Sequence, residues 1–256
     1  MSFSKVTIIG SGNLAWHLVR LLKKDLVQVY SRQGKAHGLG RSIQVVQDMN
    51  ELEVHNGLFI LAVPDDYISE VTKSLPKGIL AKGTILHCSG ATPATVLKKA
   101  KRHGVFWPVQ TLTKGRRISY KDLPIMITAS NPNLEKRLRR YANGLGCAGK
   151  IVSDKDRLKY HCAAVLVNNF SNHLFSSTED FLKKEKLDFS VMHSILGETS
   201  RKAIDPGPGL SQTGPAKRGD AKTILRHLKM LEKYPDLFSI YQDFTAGIFG
   251  KYLNEE

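Results

Sequence analysis

Over residues 5–152 the apolar positions come in short, mostly β-branched runs separated by helical periodicities. The runs are Val6–Ile9, Leu26–Tyr30, Ile43–Val46, Leu58–Val63, Thr84–Cys88, Val105–Pro108, Pro124–Thr128 and Lys150–Val152. Helical patterns fall between them at 13–24, 68–75, 93–103 and 134–145, with a short segment near 36–39. The run Leu58-Phe59-Ile60-Leu61-Ala62-Val63 has no polar alternation, as a strand covered on both faces requires. Strands alternating with helices predict an α/β fold, a doubly wound and largely parallel sheet. At Ser153 the pattern changes. No further strand is expected, and three amphipathic stretches follow at 154–184, 188–204 and 220–251, with breaker-rich loops at 205–210 and 213–220. The expected division is therefore 1–152, a doubly wound α/β unit, and 153–256, an all-helical unit. So few helices bury their apolar faces poorly alone, so a homodimer is expected.

In such sheets ligands collect beyond the carboxyl ends of the strands. The candidates are then the residues just past each strand: Gly10 to Asn13, Ser31-Arg32, Val63 to Asp65, Ser89-Gly90 and Pro108 to Thr111. The first set lies in Gly10-Ser11-Gly12-Asn13-Leu14-Ala15, a strand-turn-helix with G-x-G-x-x-A spacing. That spacing suits a dinucleotide: Gly10 for the turn, Gly12 for close approach of a pyrophosphate, Ala15 for helix-strand packing. The helix start adds free N–H groups and a positive dipole end. At the end of the second strand stand Ser31 and Arg32, where NAD-preferring units carry a carboxylate. Arg32, with Ser31 and Lys35, could hold a 2′-phosphate by charge-assisted hydrogen bonds, which favours NADP over NAD. The plainer alternative is that Arg32 is a solvated loop cation.

Composition narrows the rest. The hydrophobic content of 41% is that of a globular chain, and no apolar run is long enough to span a bilayer. With the first strand beginning almost at once, no leader is expected and the protein reads as cytoplasmic. Three cysteines without C-x-x-C spacing point to neither a disulfide framework nor a zinc site, and no metal is expected. Cys88 and Cys162 read as buried small hydrophobes. The net charge of +15 raises nucleic acid as a partner. The basic residues are scattered, however, without interleaved aromatics or a recognition-helix pattern, so solvated helix faces explain them better.

The chain resembles the superfamily of 6-phosphogluconate, β-hydroxyacid, ketopantoate, pyrroline-5-carboxylate and prephenate reductases and dehydrogenases. Within it, the likeness is to NADP oxidoreductase-like proteins with a C-terminal domain of unknown function. The resemblance rests on Ile9 to Ala15, Ala62-Val63-Pro64-Asp65, His87-Cys88-Ser89-Gly90, Trp107 to Thr111, Val167-Asn168-Asn169-Phe170 and Thr213 to Asp220. It implies that Gly10, Ser11, Gly12, Asn13 and Leu14 meet the pyrophosphate, with Ser31 and Arg32 at the adenosine ribose phosphate. Val63 and Pro64 would border the nicotinamide ribose. Ser89 and Gly90 match a substrate-carboxylate position, and Gln110 lies in a pocket-lining loop. Arg218 could bind a substrate carboxylate, and Asp220 reads as a helix cap.

Two departures bear on the chemistry. Relatives with a K-x-x-N-N motif carry a catalytic lysine where this chain has Val165, and many carry histidine where it has Trp107. His161 lies one turn before Val165. On a regular α-helix His161, Asn168 and Asn172 fall near one line. One reading makes His161 and Asn168 a catalytic pair, with histidine as acid or base. The other makes them a polar stripe satisfied within packed helices. His227 reads as a surface histidine. The expected function is NADP-dependent hydride transfer to or from a small carboxylate-bearing carbonyl, imine or hydroxy compound. A non-catalytic NADP sensor is the alternative.

Overall fold

The computed structural model describes residues 3–34 and 43–252, so Lys35 and the segment expected near 36–39 lie outside the described residues. The chain divides into two compact units, Met1–Asn168 and Asn169–Glu256.

The first unit is built on one eight-stranded sheet: β1 (Val6–Ile9), β2 (Leu26–Tyr30), β3 (Gln44–Val46), β4 (Leu58–Leu61), β5 (Thr84–His87), β6 (Arg102–Pro108), β7 (Pro124–Ala129) and β8 (Ala148–Ile151). Their spatial order is β3-β2-β1-β4-β5-β6-β7-β8. Strands β1 to β6 are parallel, in the order of a dinucleotide-binding sheet. β7 turns antiparallel to β6, and β8 runs parallel to β7. All four residues of β1, β4 and β5 are buried, because helices cover both faces. The helices are α1 (Asn13–Leu21), α2 (Ile68–Ser74), α3 (Lys77–Lys82), α4 (Pro132–Gly144) and α5 (Asp154–Ala164). Two apolar cores result. Phe3, Val6, Leu18, Leu58, Phe106 and Leu138 anchor one, and Phe59, Leu61, Ile79, Ile85 and Leu97 anchor the other.

One element departs from expectation. The stretch Pro93–His103 is not a helix: only Ala94–Leu97 forms a 3-10 turn, and β6 already begins at Arg102. Parallel pairing of Thr84 with Arg102 and Ile85 with His103 draws these residues into the sheet. That ladder outweighs the helix propensity of Lys98 to Lys101.

The Ser153 boundary falls at an N-cap. The Ser153 hydroxyl accepts from the Asp156 N–H at 3.0 Å and starts α5. After α5, residues Val165–Phe170 form a π-helical segment, and α6 (Ser171–Lys184) follows. An i→i+5 ladder turns less per residue than an α-helix, so an offset of seven from His161 no longer completes two turns. The π-helical segment thus interrupts the regular α-helix that the expected line of His161, Asn168 and Asn172 requires.

The second unit contains α6, α7 (His193–Ile204), the one-turn α8 (Pro208–Ser211), α9 (Ala221–Leu231) and α10 (Pro235–Tyr252). The expected helix 220–251 is thus broken, because Pro235 has no N–H to continue the α9 ladder. Asp220 does cap α9, accepting from Thr223 N at 3.1 Å. The buried apolar residues of this unit are Ala216, Ile224 and Leu231, whereas Ile204 and Leu210 are 80% and 82% exposed. Its helices line an open groove of about 430 Å³ that includes Phe181, Tyr241, Phe244 and Ile248. His227 also lines it, half-buried with Nδ1 2.9 Å from the Tyr241 hydroxyl, and is not a free surface group. Cys162, expected buried, is exposed on α5 beside exposed Ala163, an apolar stretch left uncovered in the single chain.

Candidate active site

Two strand-end sites lie in the first unit. The first opens beyond β1, β2 and β4 as a cleft of about 800 Å³. The sequence-singled residues Gly10, Ser11, Gly12, Ser31, Arg32, Val63 and Pro64 all line it. The two glycines serve different ends. Gly10 has φ +126°, and a Cβ there would lie 2.2 Å from the Ala62 carbonyl oxygen, so the fold itself demands glycine. Its N–H donates to the Tyr30 carbonyl at 3.0 Å, which ties the turn after β1 to the end of β2. Gly12 is different: its φ is −78°, and a Cβ would meet no atom within 4 Å. Neither backbone nor packing requires glycine there, so the open space is what a side chain would cost. α1 begins at Asn13 without any side-chain cap on its first-turn amides, directly after Gly12, although Asn13 and Leu14, also singled out, are not among the residues lining the cleft.

The far wall carries the β2 end. Ser31 is buried and its hydroxyl donates to Ser11 Oγ at 3.1 Å. Arg32 is exposed on the turn that follows. Asp48 also lines the cleft, and its Oδ1 accepts from the Asn50 N–H at 2.9 Å. Tyr67, Met49 and Val71 add an apolar wall that no sequence motif marks.

The second site lies past β5 and β6. Ser89 is buried, and its hydroxyl is fully engaged: it donates to Asp65 Oδ2 and accepts from the N–H groups of Ala91 and Thr92 at 3.1 and 2.8 Å. His87 is fully buried on β5, and its Nδ1 accepts from the Ser89 N–H at 3.1 Å. That fixes Nε2 as the protonated nitrogen, directed at the Pro93 carbonyl 3.4 Å away. Burial drives the His87 imidazole down to about 4, so it stays neutral near pH 7.

Arg157 on α5 locks this turn. Its side chain is wholly buried; Nη1 donates to Thr128 Oγ1 and Asp154 Oδ1, each at 2.6 Å, and Nη2 donates to the Thr92 carbonyl. Asp154 Oδ2 accepts from Ala94 N at 3.0 Å. One ion pair thus joins α5, β7 and the loop after β5. One turn further along α5, the half-buried His161 ring covers Gly90. A Cβ on Gly90 would lie 2.4 Å from His161 Cδ2 and 2.9 Å from Trp107 Cε2. The Trp107 and His161 rings sit 5.7 Å apart, tilted by 58°.

The structure therefore brings Ser89, Gly90, His161 and Trp107 together. Asn168 is exposed in the π-helical segment, Gln110 is exposed after β6, and Arg218 is exposed on the turn before α9 in the second unit. The sequence singles out Asp65 as a residue just past β4, without a partner, whereas Asp154 and Arg157 escape it, because the Arg157 lock joins residues with no sequence spacing to betray them. Among the described residues no group of three histidine, cysteine or acidic side chains is placed to hold a metal, and no helix is long and apolar enough to cross a membrane.

Comparison with known proteins agrees with this layout. Residues 123–248 match a domain of unknown function, DUF2520, a match that begins at β7 and ends within α10. The protein BF3122 from Bacteroides fragilis, provisionally named an NADP oxidoreductase, is 30% identical with a TM-score of 0.83, covering 97% of this chain and 99% of its own. The Thermotoga maritima protein TM1727 is 19% identical at a TM-score of 0.75, covering 98% and 99%. Pyrroline carboxylate reductase from Plasmodium falciparum, whose structure holds NADP, is 13% identical at 0.58, covering 98% of each chain, a likeness of fold. No curated protein sequence matches the chain. On the strength of the Bacteroides relative, the chain belongs to the Rossmann-fold, NADP oxidoreductase-like family whose C-terminal part is the DUF2520 domain.

Proposed function

We propose that the protein is an NADP(H)-dependent oxidoreductase acting on a small carbonyl, imine or hydroxy compound that bears a carboxylate. The observation that carries the reading is the contrast at β1: Gly10 is glycine for the fold, while Gly12 leaves open space before an uncapped helix start. That vacancy fits a pyrophosphate approaching the amides of Asn13 and Leu14. Ser11 and Ser31 line the same wall, Arg32 takes the 2′-phosphate, and Val63 and Pro64 border the nicotinamide ribose. Tyr67 and Met49 offer an apolar wall to the adenine. The bound nicotinamide supplies the hydride chemistry, and the protein supplies position and electrostatics.

Of the groups proposed to act on substrate, Ser89 adjoins Gly90 and His161 packs on it. Ser89 spends its hydroxyl within the turn, so its part is to hold the Gly90 backbone in place. His161, resting on Gly90 and braced by Trp107, is the group that gives or takes a proton, with Asn168 as its proposed companion. Gln110 and Arg218, both exposed donors, are the side chains proposed to take the substrate carboxylate. The exposed apolar residues of the second unit favour a homodimer formed through its helices.

The test is a screen of carbonyl and imine acids for NADPH oxidation, followed by His161→Gln. The reading predicts turnover of at least one such compound, with kcat falling about a hundredfold or more in the variant. Unchanged turnover in His161→Gln with normal NADPH binding would remove His161 from the chemistry. A protein that binds NADPH and turns over no such compound would favour the sensor alternative.

A further inference from the structure

The loop between β6 and β7 is pinned beside the first turn of α1. The Lys114 N–H donates to Asn13 Oδ1 at 3.3 Å. One turn along the helix, His17 is 2% exposed and holds the loop twice, with Nε2 3.0 Å from the Thr113 carbonyl and Nδ1 3.0 Å from the Tyr120 hydroxyl. The Tyr120 hydroxyl also lies 3.3 Å from the His17 carbonyl. Within the loop the Arg116 N–H donates to the Thr113 carbonyl at 3.1 Å, and Gly115 takes φ +89°, so the tip is a closed turn. Residues 109–120 include Lys114, Arg116 and Arg117 and no carboxylate. All three cations are exposed, and none forms an ion pair among the described residues. A buried histidine is thus spent on holding a basic, unneutralised tip next to Asn13, the first residue of the helix that faces the open space at Gly12.

We propose that Lys114 and Arg116 form a second anion subsite of the cleft, meeting the pyrophosphate bridge of the bound dinucleotide beside the α1 amides. The inference rests on the dinucleotide reading of that cleft. Tethering by His17 and Tyr120 orders the tip before binding, so less conformational entropy is lost when the phosphates arrive. Two flexible cations serve a diffuse, multiply charged bridge well, because ammonium and guanidinium groups both donate to phosphate oxygens. The subsite differs from Arg32, which stands at the β2 end and addresses the phosphate that NADP has and NAD lacks.

The experiment is a fluorescence titration of the full chain with NADPH and with NADH, for wild type, the double variant Lys114→Gln/Arg116→Gln, Arg32→Gln and Tyr120→Phe. The pyrophosphate is common to both ligands, so the double variant is expected to weaken both by the same factor, about tenfold or more. Arg32→Gln is expected to weaken NADPH alone. Tyr120→Phe keeps every cation and loosens the tether, so it should weaken both ligands equally but less, through faster dissociation. Wild-type affinity for both ligands in the double variant would overturn the proposal. So would a loss confined to NADPH, which would put the loop on the 2′-phosphate instead. A wild-type protein that binds neither dinucleotide would overturn the cofactor reading itself, and this subsite with it.

Discussion

The ends of β1 and β5 sit one strand apart in the same sheet, yet their polar groups are used in opposite ways. At β1 the helix start is uncapped and Gly12 faces open space. At β5 the Ser89 hydroxyl, the His87 ring, the Asp154 carboxylate and most of the Arg157 guanidinium are matched within the protein. The comparison separates two designs for one sheet edge. A cleft beside an uncapped helix start suits an anion, whereas a turn whose side chains are bonded within the protein, Arg157 Nε excepted, is a platform for what lies on it, here His161 and Trp107. Burial explains why most of the platform's polar atoms are bonded. An unpaired polar group inside it would cost about 1–3 kcal/mol.

Breaking each end separately sharpens the contrast. The largest loss is expected from Gly10→Ala, which forces a Cβ against the Ala62 carbonyl at a left-handed φ. Urea unfolding should show about 3 kcal/mol or more of destabilisation. Arg157→Met should cost about 3 kcal/mol by the same measurement, because it strands the Asp154 carboxylate against the Ala94 turn. The same variant frees α5, so His161 should lose its fixed place on Gly90, visible as a changed imidazole resonance.

Acid should act through His87. Its imidazole is pushed from 6.5 to about 4 in the folded protein, so the unfolded chain binds the extra proton in between. Stability is therefore full above pH 6.5 and falls as the pH drops toward 4, by about 3 kcal/mol from this group. His55, also lowered by burial, adds a slope of the same sign. His87→Gln should flatten the His87 share of that slope and leave the rest. If the slope is unchanged, the ring is not held neutral as described.

Ser89→Ala should cost about 1–2 kcal/mol, since the Ala91 and Thr92 N–H groups lose their acceptor and Asp65 its donor. The smallest effect on folding belongs to Gly12→Ala. It should move stability by about 1 kcal/mol or less, because the Cβ meets nothing. Yet it should weaken NADPH binding at least tenfold. The pair Gly10→Ala and Gly12→Ala thus separates a glycine kept by the fold from one kept by a ligand.

The sequence carried the first of the two ends far better than the second. Strand β1, the glycine spacing and the lack of a carboxylate after β2 are local signals, readable within thirty residues, and the cleft assembles from them. The alternation of strands and helices likewise gave the parallel order, since each crossover is a local unit. The β5 platform depends on pairings that no spacing records: Ser89 with Asp65, Arg157 with Thr92 and Thr128, His161 with Gly90. Where local and long-range preferences competed, the long-range one won. Lys98 to Lys101 favour a helix in isolation, but the ladder beside β5 takes the chain into β6 from Arg102. The π-helical segment at Val165–Phe170 is a hydrogen-bond shift of one residue and leaves no mark on apolar periodicity. It nevertheless interrupts the regular α-helix on which an alignment of His161 with Asn168 depends.

The central claim is that the cleft at β1 is a cofactor site for NADP(H). The most direct test is a calorimetric titration of the purified protein with NADPH and NADH and their oxidised forms, repeated on Gly12→Ala. The account predicts tight NADPH binding, weaker NADH binding, and loss of both in a variant that stays folded. Absence of binding by all four dinucleotides, or undiminished affinity in Gly12→Ala, would contradict it.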